Sequence, residues 1–102
     1  MKLPFELMQK DVTLTVAMAE DIRSRAERLD QFTDRIMRCR VTVEGSGTHH
    51  RQGLYRVTID LTVPGSELIV HKHAAANLEL AVKSAFDAAG RRLEDHVRRR
   101  RG

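Results

Sequence analysis

The last twelve residues, RRLEDHVRRRRG, hold six arginines against Glu94 and Asp95. The ninety residues before them carry twelve Lys/Arg and twelve Asp/Glu, so the whole net charge of +4 arises in this final segment. A guanidinium offers phosphate a planar fork of donors, and several on one helix can follow a nucleic-acid backbone. A solubilising terminus would show the same run. Glu94 and Asp95 also stand within helical pairing distance of Arg91, Arg98 and Arg99, which would absorb part of the charge. Aromatic residues are few, namely Phe5, Phe32, Tyr55 and Phe86, and nearly all fall at core positions. Recognition by shape and phosphate is therefore expected, rather than a base-stacking platform.

Other reactive residue types form no recognisable site. His71 and His73 share a strand face, and His49 and His50 fall in a loop. With one cysteine and no paired ligand motif, neither a metal nor another cofactor is expected. Cys39 alternates inward with Met37 and Val41, which reads as an inert core thiol. The segment GSGTHHRQG, residues 45–53, lacks phosphate-loop spacing and reads as a hairpin connection. No serine, histidine and acid combination or carboxylate pair suggests an enzyme or a small-molecule substrate. A lone cysteine permits no internal disulfide. The opening MKLPFELMQKD lacks the apolar stretch of a signal peptide, and no run could span a membrane. A soluble cytoplasmic protein is expected.

The elements that must position the arginines follow from periodicity. At 102 residues, with 41% hydrophobic and 31% charged residues, one globular domain over 1–102 is expected. LPFELMQ alternates loosely, with Leu3, Phe5 and Leu7 on one side and Pro4 suited to an edge strand. Leu14, Met18, Ile22, Ala26 and Leu29 recur at helical spacing, which predicts a helix over roughly 15–30, with Phe32 just past its end. Arg25 and Arg28 flank that stripe. Residues 37–43 alternate, with Met37, Cys39, Val41 and Val43 inward, and YRVTIDLTV is the clearest strand. Pro64-Gly65-Ser66 signals a type II turn before a last strand, ELIVHKH.

Asn77 suits the N-cap of a second helix whose apolar stripe comprises Leu78, Val82, Ala85, Ala89, Leu93 and His96. The phase runs into the arginines, with residues 98–102 expected to fray and Gly90 as a weak point. The order β-α-β-β-β-α predicts an α+β two-layer sandwich, a four-stranded sheet with both helices packed on one face. The other sheet face, with Arg38, Arg40, Arg56 and threonines, should meet solvent.

Three stretches, LTVAMAEDIRSRAERLDQF, YRVTIDLTVPG and NLELAVKSAFDAAGRRLEDHVRR, in this order and spacing resemble the ribosome hibernation-promoting factor family. Its members are also called ribosome-associated inhibitors or ribosomal subunit interface proteins. The resemblance covers nearly the whole chain. It implies a non-enzymatic stress-response protein that binds the small ribosomal subunit in the mRNA and tRNA channel and blocks translation. In that family basic residues on both helices face ribosomal RNA. Arg25 and Arg28 match such positions in the first helix, and Arg91 matches one in the second.

The chain departs from the family where relatives carry lysines along the second helix, having Ala88, Asp95 and Val97 instead. Lys83 stands where relatives often have an acid. Arg92 and the run from Arg98 to Arg101 restore charge further along, so Lys83, Arg92, Arg98 and Arg99 join the expected RNA-binding residues. The long form adds a dimer-forming domain absent here, and some relatives with a similar end continue into a cold-shock module, so the chain also reads as a piece of something longer. The element order also looks like double-stranded RNA-binding folds, which share the layout with different loops and one more helix-end motif that this sequence lacks, and a general duplex-RNA module is the alternative. A third reading is a protein-interaction domain using a free sheet edge or the polar sheet face; self-association stands apart from it as an open alternative.

Overall fold

The computed structural model describes residues 4–33, 35–45 and 54–101. Strand β1 (Phe5–Lys10) is followed by helix α1 (Val16–Arg28), a 3-10 turn (Leu29–Gln31), strands β2 (Arg38–Glu44), β3 (Tyr55–Val63) and β4 (Ser66–Ala75), and helix α2 (Leu78–Arg101). The expected order holds. Loop residues 46–53, including His49 and His50, lie outside the described residues, as does Leu3.

The four strands form one sheet in the order β1-β2-β3-β4. β1 runs parallel to β2 because α1 carries the chain back across the sheet, while β2, β3 and β4 are antiparallel neighbours. Pro4 precedes an edge strand, as its missing N–H requires, and its carbonyl accepts from Cys39 N–H at 2.9 Å. Pro64 and Gly65 join β3 to β4, with Val63 opposite Ser66 and Gly65 at φ 79°, the value that a type II turn demands of its second central residue.

Alternation decides the two sheet faces. Cys39, Val41 and Val43 of β2 and Val57, Ile59, Leu61 and Val63 of β3 are buried, and they join Ile22, Ala26 and Leu29 of α1 and Val82, Ala85, Ala89 and Leu93 of α2 in one core. α2 lies over β3 and β4, α1 over β1, and the helices touch each other. One correction concerns Met37. Its alternation with Cys39 predicted an inward side chain, yet it is 57% exposed and Ile36 is buried instead. Residue 37 precedes the strand, where its N–H donates to Thr62 O, so the strict period of two begins only at Arg38.

Both helix starts are capped by the residues that the sequence offers. Thr15 Oγ1 accepts from Met18 N–H at 3.1 Å, and Asn77 Oδ1 accepts from Leu80 N–H at 3.2 Å. Helical backbone continues to Arg101. Arg98 meets Glu94 at 3.9 Å and Asp95 at 3.7 Å, tying that turn to the one before. No described helix is long and apolar enough to cross a membrane.

Candidate nucleic-acid interface

The apolar stripes of α1 and α2 both face the sheet, so their polar flanks meet at the seam between the helices. There the end of α1 and the middle of α2 enclose an open groove of about 330 Å³. Arg25, Arg28 and Arg91 line it, together with Gln31, Phe32 and the acids Asp87 and Glu94. Arg25 and Arg28, one turn apart on α1, thus share one feature with Arg91 of the distant α2. Arg25 is held by Asp21, Nε donating to Oδ2 at 2.9 Å. Arg28 and Arg91 are exposed and make no ion pair among the described residues, so their guanidinium groups are open to an outside anion.

The other expected residues divide between two sides of α2. Lys83, Asp87, Arg91, Glu94 and Arg98 follow one another at helical spacing along the outward stripe. Lys83 Nζ lies 3.7 Å from Asp87, and Arg98 is shared between Glu94 and Asp95. These cations are locally compensated and count for less toward an approaching polyanion than Arg28 and Arg91 do. Arg92 and Arg99 turn the other way, into a second groove between α2 and the β3–β4 turn that Glu67, Asp95 and His96 also line. Arg92 there donates to Ile69 O at 3.4 Å.

Two groove residues escaped the sequence reading. Sequence position groups Phe32 with the core aromatics, but it is 43% exposed and lies beside the arginines. Gln31, just before it, had no pattern to mark it. The signal for Phe32 was its place one residue beyond the 3-10 turn, where the α1 stripe no longer points at the sheet. Arg23, at the flank of the α1 stripe, sits over the Phe5 ring of β1 with its guanidinium carbon 5.1 Å from the centroid.

Elsewhere the chemistry is quiet. Burial pushes the Cys39 thiol up to about 12, with Asp60 and then Asp30 adding to the effect. Among the described residues no cluster of three or more His, Cys, Asp or Glu side chains could hold a metal ion.

The chain is 30% identical over 89 residues to the ribosome hibernation promotion factor of Deinococcus radiodurans, an alignment that covers 87% of this chain. The chain spans about half the length of that relative, 46% of it. Its fold is similar to the N-terminal domain of Protein Y from Thermus thermophilus, with TM-score 0.72 and 19% identity over 93% of this chain and 99% of that one. It is similar too to a ribosomal subunit interface protein from Coxiella burnetii, with TM-score 0.79 and 13% identity over 92% of this chain and 97% of that one. Residues 6–101 match the family described as Sigma 54 modulation protein / S30EA ribosomal protein, and the chain belongs to that family.

Proposed function

We propose that this protein acts on the ribosome by occupancy, as a hibernation factor of the cytoplasm. Its helix face meets ribosomal RNA of the small subunit in the channel that mRNA and tRNA otherwise use, and translation idles while it stays. Family membership and the named relatives support the ribosome as partner. The observation that carries the surface assignment is the convergence of Arg25, Arg28 and Arg91 on the groove between α1 and α2, with Arg28 and Arg91 exposed. Lys83, Arg92, Arg98 and Arg99 extend the cationic margin on either side of α2. No bond is made or broken in this reading, and binding energy comes mainly from phosphate contact and counterion release.

The experiment is co-sedimentation with purified small subunits across a salt series, with tRNA and naked duplex RNA as separate competitors. Displacement by tRNA with little effect of duplex is the expected result. Equal displacement by naked duplex would instead favour a general duplex-RNA module that reads shape.

A further inference from the structure

The outer face of the sheet, turned away from both helices, carries an ordered charge pattern. Glu6, Arg40 and Asp60 stand side by side in cross-strand register across β1, β2 and β3. Four residues along the same strands stand Lys10, Glu44 and Arg56, also in register and with every sign reversed. Between the two charged rows runs a neutral one of Met8, Thr42 and Thr58. Neighbours within the rows already attract each other, Arg40 to Glu6 at 3.0 Å and Arg56 to Glu44 at 3.9 Å. Arg56 and Glu6 are the most open of these charges, their side chains 56% and 52% exposed, while Arg40 and Glu44 are 38% and 35% exposed and one carboxylate oxygen of Asp60 is buried.

We infer that this face is self-complementary and docks a second copy of the chain, sheet on sheet. A two-fold axis lying across the strands along the Met8-Thr42-Thr58 row would lay each strand antiparallel on its own copy. Glu6 then meets Lys10 of the second copy, Arg40 meets Glu44, and Asp60 meets Arg56. Each contact occurs twice by symmetry. Only the uncharged row falls on the axis, where every residue must face itself. The pattern also rejects the other arrangement. A two-fold axis along β2 would set Arg40 on Arg40 and Glu6 on Asp60, which repel.

Geometry permits the favoured pairing. Aligned sheets pack about 10 Å apart at about 30°, and the charged rows lie about 7 Å from the axis, so twist displaces them by only about 3.5 Å. Arginine, lysine and glutamate side chains span that offset. Three strands of six residues would bury on the order of 800 Å² in total, at the weak end of specific interfaces. The dimer is therefore concentration-dependent and dissolves in salt. It uses no helix residue, so it stands or falls independently of the proposed ribosome binding.

Sedimentation equilibrium of the full chain between about 10 μM and about 1 mM tests this, at low salt and at about 0.5 M salt. The expected result is a monomer–dimer equilibrium that high salt abolishes. Arg40→Glu and Glu44→Arg, each set against its own copy, should weaken association by about tenfold or more. Mixing the two variants in equal amounts should restore the dimer. The introduced carboxylate of one variant then faces the introduced guanidinium of the other, and the unaltered Arg40 and Glu44 face each other at the symmetry-related contact. Thr42→Arg, which places like charges on the axis, should be monomeric even if a charge-reversed chain folds poorly. A wild-type chain that stays monomeric at low salt overturns the proposal. So does a Thr42→Arg chain that dimerises normally, or a mixture of two folded variants that fails to associate.

Discussion

Phe32 lies against Gly90. A Cβ built on that glycine would sit 3.5 Å from Phe32 Cε2 and 3.6 Å from Cζ, ordinary contact distances. The glycine thus lets the ring rest on the α2 backbone at the floor of the arginine-lined groove, but no steric conflict demands it.

Gly90→Ala should accordingly stabilise the protein. Alanine is favoured over glycine in a helix interior by about 1 kcal/mol, and the new methyl finds room beside the ring. Thermal unfolding should rise by about 4–8 °C for a domain of this size. A lower midpoint would mean that the ring cannot tolerate the methyl.

Gly45→Ala should do the opposite. Gly45 is buried at the end of β2, where its N–H donates to Lys10 O at 2.8 Å. A Cβ there would collide with Asp11 O and lie 2.8 Å from Val12 Cβ, so backbone must move. A loss of about 2 kcal/mol or more is expected, read as a lower denaturant midpoint. Wild-type stability would show that the β1–β2 ends separate without cost.

Cys39 should resist thiol reagents at pH 8 in the native protein and react fully once unfolded. With the folded thiol pushed from 9.0 to about 12, chiefly by burial, the folded state keeps its proton where the unfolded one loses it. The stabilising contribution of this group is complete below pH 9 and declines as pH rises from about 9 toward about 12. Fast native-state labelling near pH 8 would contradict the burial.

Thr15→Ala should cost about 1 kcal/mol by removing the acceptor for Met18 N–H at the start of α1. A chemical denaturation series measures it, and an unchanged midpoint would show that solvent serves that N–H equally well.

Much of this fold was legible in periodicity. YRVTIDLTV alternates without a break because one face meets the helices and the other meets solvent, and Ile22, Ala26 and Leu93 fell on their stripes for the same reason. Met37 misled because alternation extends one residue past the point where the backbone enters the ladder. The site was legible only in part. Arg25, Arg28 and Arg91 could be named one by one, but their shared groove depends on how α1 lies beside α2, which no local pattern encodes. Phe32 and Gln31 entered it for that tertiary reason. Likewise the charge rows of the outer sheet face depend on strand register, which pairs Arg40 with Glu6 from thirty-four residues away.

If Arg28 and Arg91 meet phosphate on the ribosome, the salt dependence of small-subunit binding must change when they are reversed. The measurement compares wild type, Arg28→Glu with Arg91→Glu, and a charge-matched control, Arg38→Glu with Arg56→Glu, on the opposite sheet face. The groove variant should bind more weakly, with a log–log salt slope shallower by about two, while the control stays near wild type. Equal losses in both variants would reduce the effect to net charge and contradict the assignment of this groove as the contact surface.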